Sequence, residues 1–234
     1  MSKSAAIFCL LSIFAETNKR MAITVEKFTF NPFQENTFVV HDGSVCVIID
    51  PGCYFAEEGE QLVRFIDENG LKPEAVLLTH AHLDHIFGCD YISKHYGIDA
   101  YMHEKDLFTL DLAERSATAY GIPGVVRPET PNKLLQGNEV LKFGEMEFEV
   151  LFTPGHCVGH VVYVNRSEDF VINGDVLFAG SYGRVDLPGG DMATLKTSIF
   201  DVMFKLPDTM VVYSGHGPET TIGQEKLTNY ILQS

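Results

Sequence analysis

Thr79-His80-Ala81-His82-Leu83-Asp84-His85 follows directly on the apolar run 75–78 and brings three imidazoles and a carboxylate into seven residues. Neutral imidazole nitrogens and carboxylate oxygens are the donor set that Zn²⁺ and its first-row neighbours accept, whereas Ca²⁺ or Mg²⁺ would call for oxygens alone. His80 and His82 are two apart, so in an extended segment their side chains point the same way. Asp84 and His85 are adjacent and diverge, which suggests that the two pairs serve two ions rather than crowding one. The alternative is a polar loop that merely collects histidines. Three of the chain's nine His in one heptapeptide argue against it.

The spacing H-x-H-x-D-H over residues 80–85 resembles the signature of the metallo-β-lactamase superfamily. That family adds a His, a bridging acid and a last His, all on loops at strand ends. His156 stands in Thr153-Pro154-Gly155-His156 after the strand-like 148–152, and Asp175 in Asn173-Gly174-Asp175 after 170–172. His216 stands in Ser214-Gly215-His216-Gly217-Pro218 after 210–213. The resemblance runs from about Thr24 to the end of the chain. It implies an α/β fold, an αββα sandwich of two mixed β-sheets flanked by helices. It also implies two divalent metal ions, zinc first with iron or manganese as alternatives: His80, His82 and His156 on one, Asp84, His85 and His216 on the other, and Asp175 bridging. A water shared by the two ions would be available as hydroxide near neutral pH, with Asp84 holding or accepting its proton.

Composition narrows the partners. The 234 residues are enough to bury a full core, and no Pro/Gly/Ser-rich linker or charge block divides them, so one domain is expected over 21–234. Seventeen Lys+Arg against 32 Asp+Glu leave a formal net charge of −15, with no basic stripe to neutralise phosphates, so nucleic acid is not an expected partner. The five cysteines are odd in number and lack a C-x-x-C pair, which argues against a disulfide framework and fits a reducing cytoplasm. Residues 1–20 stand apart. Lys3 and the apolar run 5–15 look like a weak signal peptide without a clear small-x-small cleavage site, and the run is too short to span a membrane. An upstream start with Met21 as the true beginning competes with export; the first predicts that a chain starting at Met21 folds and binds metal as well as the full chain.

Strand-like stretches occupy 24–30, 36–40 and 45–49, with His41-Asp42-Gly43 as a hairpin signal that makes His41 a turn residue. Asp50, at the end of the third, is placed either to orient a metal-bound His or to cap the turn into Pro51-Gly52. Leu62, Val63 and Ile66 mark a helix over 56–68. After the histidine loop a helix is expected with Ile86, Tyr91 and Ile92 on its apolar side and His95 toward solvent, then a strand over 99–102. A further helix opens at His103, itself read as a surface residue. Residues 110–143 are broken by Gly121, Pro123, Gly124, Pro128 and Pro131 and are expected to form one wall of the substrate site. Strands return at 147–152, 160–164, 170–172 and 176–178. A helix is expected over 193–206 with Leu195, Ile199, Val202 and Leu206 on one face, and the chain closes with a strand at 210–213 and a short helix around 224–232. His160 reads as a structural hydrogen-bonder. Cys157 beside His156 invites a Cys-His nucleophile, but adjacent side chains diverge.

The stretch 174–184 is similar to the part of glyoxalase II that runs from the bridging acid to a substrate-binding cation, and Arg184 takes that place. Its guanidinium would either grip an anionic part of the substrate or pair with Asp186 in a surface turn. Glyoxalase II continues past its last metal His into a helical extension that holds glutathione, whereas here 217–234 resembles the short glyoxalase II-like hydrolases. The expected activity is therefore hydrolysis of small-molecule thioesters such as S-lactoylglutathione. The alternatives are a mononuclear iron persulfide dioxygenase, which shares this loop but uses only two His and one Asp as ligands, and a β-lactamase, whose commonest zinc enzymes carry Cys where Asp175 stands. A non-enzymatic metal-binding module ranks last, since a site built only to hold metal has no reason to keep an open bridging position.

Overall fold

The computed structural model describes residues 22–233; the segment 1–20, read as an extension, lies outside the described residues. The first half runs β1 (Thr24–Phe30), β2 (Glu35–His41), β3 (Val45–Ile49), α1 (Ala56–Glu68), β4 (Lys72–Leu77), α2 (Leu83–Ile86), α3 (Cys89–Tyr96), β5 (Asp99–His103), α4 (Leu107–Leu110), α5 (Ala113–Tyr120) and β6 (Lys133–Leu135). Its strands form one sheet in the order β1-β2-β3-β4-β5-β6, antiparallel as far as β3 and parallel beyond it. The second half runs β7 (Val140–Phe143), β8 (Met146–Phe152), β9 (Val161–Asn165), β10 (Phe170–Gly174), β11 (Leu177–Phe178), β12 (Ser181–Tyr182), α6 (Met192–Thr197), β13 (Val211–Ser214), β14 (Thr220–Thr221) and α7 (Ile222–Thr228). Six of these strands form the second sheet, β14-β13-β10-β9-β8-β7, in which only β10 and β13 are parallel.

Alternation along the strands produces the layers. Phe38, Val40, Val47 and Ile49 face the second sheet and meet Phe148, Val150, Val161 and Tyr163. Their neighbours Val39, Cys46 and Ile48 point the other way, onto Leu62 and Ile66 of α1 and Ile92 of α3. Leu62 and Ile66 are fully buried, and each such side chain contributes about 1.5–3 kcal/mol of hydrophobic stabilisation. On the far side Val162, Val164 and Val171 pack beneath Leu195, Ile199 and Met203. The order is therefore helix, sheet, sheet, helix, and both sheets are mixed: the αββα sandwich that the resemblance implies.

Several local expectations are corrected. Tyr91 lies on the outer side of α3 and is 46% exposed, so Ile92 rather than Tyr91 is the core contact of that helix. His103 is not a surface residue: it is buried, stacked on Phe152 with ring centroids 4.4 Å apart, and its Nδ1 accepts from the Lys105 N–H. Residues 177–178 do not extend the second sheet but form a two-stranded ribbon with β12. The helix expected over 193–206 is α6 followed by a π turn over Ser198–Val202 and a 3₁₀ turn over Met203–Lys205. Leu195, Ile199 and Met203 are four apart; on a 3.6-residue helix such residues drift around the axis, and the wider turn keeps all three buried.

The functional consequence of the topology is at one edge. β3, β4 and β5 are parallel in one sheet, and β8, β10 and β13 share a direction in the other, so Asp50, Thr79, Asp106, Thr153, Asp175 and Gly215 all leave strand ends on the same side. The two sheets are stitched there by Val161 N–H to the Thr79 carbonyl (2.9 Å), Asn36 N–H to the Gly215 carbonyl (2.7 Å) and Tyr163 O–H to the Leu78 carbonyl (2.7 Å).

Candidate active site

The seven histidines and acids singled out in the sequence meet at this edge in two groups of three with one acid between them. His80, His82 and His156 each offer a ring nitrogen, and these lie within 4.8 Å of one another; a carboxylate oxygen of Asp84 and ring nitrogens of His85 and His216 lie equally close together. Within the first group the His82 Nδ1 and His156 Nε2 are 2.7 Å apart, and within the second the His216 Nε2 lies 3.2 Å from the Asp84 Oδ2. Asp175 reaches both groups. Its Oδ2 is 3.5 Å from His156 Nε2 and 3.6 Å from His216 Nε2, and its Oδ1 is 3.5 Å from His85 Nε2.

The rest of each side chain is anchored so that these atoms point inward. His156 Nδ1–H donates to the Arg184 carbonyl (2.7 Å), His85 Nδ1 meets the Asp50 Oδ2 (3.0 Å), and His80 Nδ1 meets the Thr79 Oγ1 (3.0 Å). The Asp50 carboxylate also accepts from the Thr79 N–H and O–H. Asp50 thus orients an imidazole and ties down the histidine loop together, from a left-handed backbone (φ 49°) that Asp tolerates better than most residues. A third cluster, Asp50 with His80 and His85, is close enough to hold an ion, but the Asp50 oxygens are committed to these three donors. His160 Nε2 accepts from the Asp175 N–H (3.0 Å) and its Nδ1 meets the Thr153 Oγ1 (3.2 Å), the structural role read from the sequence. Gly174 makes that approach possible: at φ +52° a Cβ there would lie 2.4 Å from the Thr79 Oγ1 and 2.7 Å from the His160 Nε2.

Three inward atoms are buried without a protein partner: His80 Nε2, His85 Nε2 and Asp175 Oδ1. Buried polar atoms are ordinarily paired, and here all three face the centre of a donor set rich in nitrogen with some carboxylate oxygen. That is what a pair of first-row divalent cations requires, so the residues fit the metals that the resemblance implies. The imidazoles titrate in two directions: burial lowers His85 and His216, but the Asp84 and Asp175 carboxylates beside them outweigh it and raise both above the ordinary imidazole value, whereas His80 and His82 move the other way. Burial holds His80 well below the ordinary imidazole range, and burial with the neighbouring His156 brings His82 down to about 3, so both are neutral at physiological pH and able to offer a lone pair. Burial pushes the Asp84 and Asp175 carboxyls up, but the neighbouring His85 charge, with His216 beside each, outweighs it and holds both below the usual carboxylate range.

Over this floor stands a cavity of about 420 Å³, a size typical of small-molecule sites. Its walls are mainly apolar, from Phe33, Leu83, Leu112, Phe178, Leu187 and Pro188, with the hydroxyls of Thr109, Ser116, Tyr120, Ser181 and Tyr182 set among them. Leu112, Ser116 and Tyr120, at the start of and along α5, do form a wall, as expected for 110–143, but the Pro- and Gly-rich part beyond them does not line it. Arg184 lines the cavity with its guanidinium closed on Asp186 by two bonds of 2.7 Å, which raises the one pKa and lowers the other to about 2. The Cys-His pair is excluded: Cys157 is buried, its thiol is pushed up by burial and Asp106, and His156 faces elsewhere. The sequence reading missed the wall residues and Asp106, a buried acid just after β5 whose only signal was its place at a strand end.

No helix among the described residues is long and apolar enough to cross a membrane. A family model described as the metallo-beta-lactamase superfamily matches residues 30–216. The chain is 40% identical over 203 residues to the probable metallo-hydrolase YqgX of Bacillus subtilis (strain 168), covering 86% of this chain and 93% of that one. It is 36% identical over 214 residues to the hydroxyacylglutathione hydrolase GloC of Haemophilus influenzae, covering 91% and 99%. Among solved structures it resembles the BLEG-1 B3 metallo-beta-lactamase (TM-score 0.83, 38% identity, 90% and 100% covered) and TTHA1623 in a di-iron-bound form (0.79, 38%, 88% and 99%).

Proposed function

The chain belongs to the metallo-β-lactamase superfamily, and from that membership we propose that it is a binuclear metal-dependent hydrolase of thioesters, S-lactoylglutathione-like among them. The observation that carries the proposal is Asp175, whose two oxygens reach both groups of ligand atoms at the floor of an apolar cavity. His80, His82 and His156 would hold one ion and Asp84, His85 and His216 the other, zinc by preference and iron or manganese as alternatives. When bound, the two cations supply Lewis acidity: water acidified from a pKa of about 15.7 toward 7, and a carbonyl drained of electron density.

The chain's own residues supply the rest. Thr79, Asp50 and the Arg184 carbonyl fix three imidazole orientations, and His160 fixes the Asp175 backbone. Asp84, held ionised and exposed to the cavity, takes a proton as water oxygen bonds to the acyl carbon. The C–S bond then breaks and sulfur leaves as a thiolate, which needs no proton. An amide nitrogen would need one. Among the described residues the cavity offers, beyond the ligand groups, only two tyrosines and the committed Arg184 as titratable side chains. Support for the thioester class also comes from the name of GloC. A lactam is the second reading, favoured by the name of BLEG-1.

The test is kcat/KM for lactoylglutathione, a simple acyl thioester, glutathione persulfide and a lactam, on protein of known metal content. The thioesters are expected to lead, and Asp175→Ala to lower the occupancy of both ions. A wild-type protein that never exceeds one ion per chain in excess Zn²⁺, Mn²⁺ or Fe²⁺ sinks the two-ion assignment. Oxygen uptake with persulfide, and no thiol released from either thioester, sinks the hydrolase.

A further inference from the structure

His80 and His82 come from the first sheet and His156 from the second, 74 residues away from His82 in sequence. Three imidazoles from two sheets hold one ion only if the loops carrying them are fixed to a fraction of an ångström. A single side chain spans both loops. Asp106, completely buried in the 3₁₀ turn that leaves β5, accepts from the Ala81 N–H at 2.5 Å with its Oδ2. Its Oδ1 accepts from the Gly159 N–H at 3.1 Å and from the Thr109 hydroxyl at 2.7 Å, and the Cys157 thiol donates to the same carboxylate. Ala81 sits between His80 and His82; Cys157 and Gly159 follow His156. None of these bonds is to an imidazole. Four donors exhaust the lone pairs of a carboxylate, so the group is held without freedom to turn. The approach is close enough to require glycine on the other side: a Cβ at Gly159 would lie 2.3 Å from the Asp106 nitrogen.

The other trio is anchored by different groups. His85 is held by Asp50, and the segment bearing His216 by its bridge to Glu35 and by Asn36 Nδ2, which donates to the Ser214 and Gly217 carbonyls at 3.0 and 2.9 Å. We propose that Asp106 is the positioning residue for one of the two ions: a clasp across the two sheets that sets the spacing of His80, His82 and His156 and leaves the Asp84, His85 and His216 trio unaffected. The inference rests on the two-ion reading above, and it assigns a role to a residue outside the ligand set.

A general loss of stability would weaken both ions, so the test separates them. Asp106→Asn, which turns an amide N–H toward a backbone N–H, is made in two backgrounds of the full chain: His216→Ala, which leaves the three-histidine trio, and His156→Ala, which leaves the other. Cobalt(II) binding is followed by calorimetry after metal removal. Asp106→Asn is expected to weaken cobalt binding about tenfold or more in the first background, the loss typical of removing a group that orients a ligand, and to leave the second unchanged. Equal weakening in both, or an unchanged affinity in the first, overturns the proposal. If Asp106→Asn does not fold, Thr109→Val, which deletes one of the four donors, takes its place in the same two backgrounds. A smaller loss confined to the first background is then expected, and an unchanged affinity there is equally fatal. Wild-type protein that binds no cobalt would instead bring down the two-ion reading, and this inference with it.

Discussion

Arg184 shows how one side chain's effect depends on what it is already bonded to. Its guanidinium is the only Arg or Lys group lining the cavity among the described residues, and it is engaged by Asp186 through a bidentate pair that anionic substrates must displace. The pair is more than half exposed, so its intrinsic strength is small and an anion competes with it readily. Arg184→Ala is expected to raise KM for anionic thioesters more than for neutral ones. Asp186→Asn, which frees the fork, is expected to lower KM for the anionic ones by several-fold. Steady-state kinetics with a matched pair of charged and uncharged acyl thioesters checks both, and equal changes for the two substrates would remove Arg184 from the binding site. His103 teaches the converse. Its flanking Glu104, Lys105 and Asp106 suggest a surface, yet burial is decided by Phe152 from another sheet.

At the level of elements, the turn from β2 to β3 does more than reverse the chain. Asp42 accepts from the Ser44 and Val45 N–H groups at 2.9 and 2.8 Å, closing its own hairpin, and from the Glu145 N–H at 2.8 Å, in the turn between β7 and β8. Burial raises its pKa, but the three backbone donors win and hold it below the usual value. A depressed folded pKa means stability that is present above the unfolded value of about 3.9 and lost as pH falls through the folded one. Asp42→Ala should therefore cost about 1.5–3 kcal/mol near pH 7, the range for hydrogen bonds to a charged group, and progressively less below pH 4. Urea unfolding of wild type and variant at pH 7 and pH 3.5 measures this, and a difference independent of pH would refute it.

For the whole molecule, the site exists because two sheets are held in register at one edge. Tyr163 on β9 is fully buried and donates its hydroxyl to the carbonyl of Leu78, the residue before Thr79 and the histidine loop. Tyr163→Phe keeps the ring but leaves that carbonyl unpaired, at a cost of about 1–3 kcal/mol. Thermal unfolding is expected to shift down by a few degrees, and because the bond leads directly into the loop, metal affinity is expected to fall as well. An unchanged melting temperature would show that the contact does not contribute to joining the sheets.

The ligand-type residues were legible from the sequence because metal chemistry admits few residue types, and the H-x-H-x-D-H spacing concentrates four of the seven in one loop. His156, Asp175 and His216 were legible because each follows an apolar strand and sits in a Gly-containing turn. The layers were legible through alternation, since a strand with two buried faces must be covered twice. What the chain could not spell was anything requiring the two sheets to be laid together. The spacing of the two trios, the cavity wall, the burial of His103 and the place of Asp106 beneath both loops come from contacts between residues tens of positions apart. Local propensity carries no record of those distances; packing across the sandwich set them.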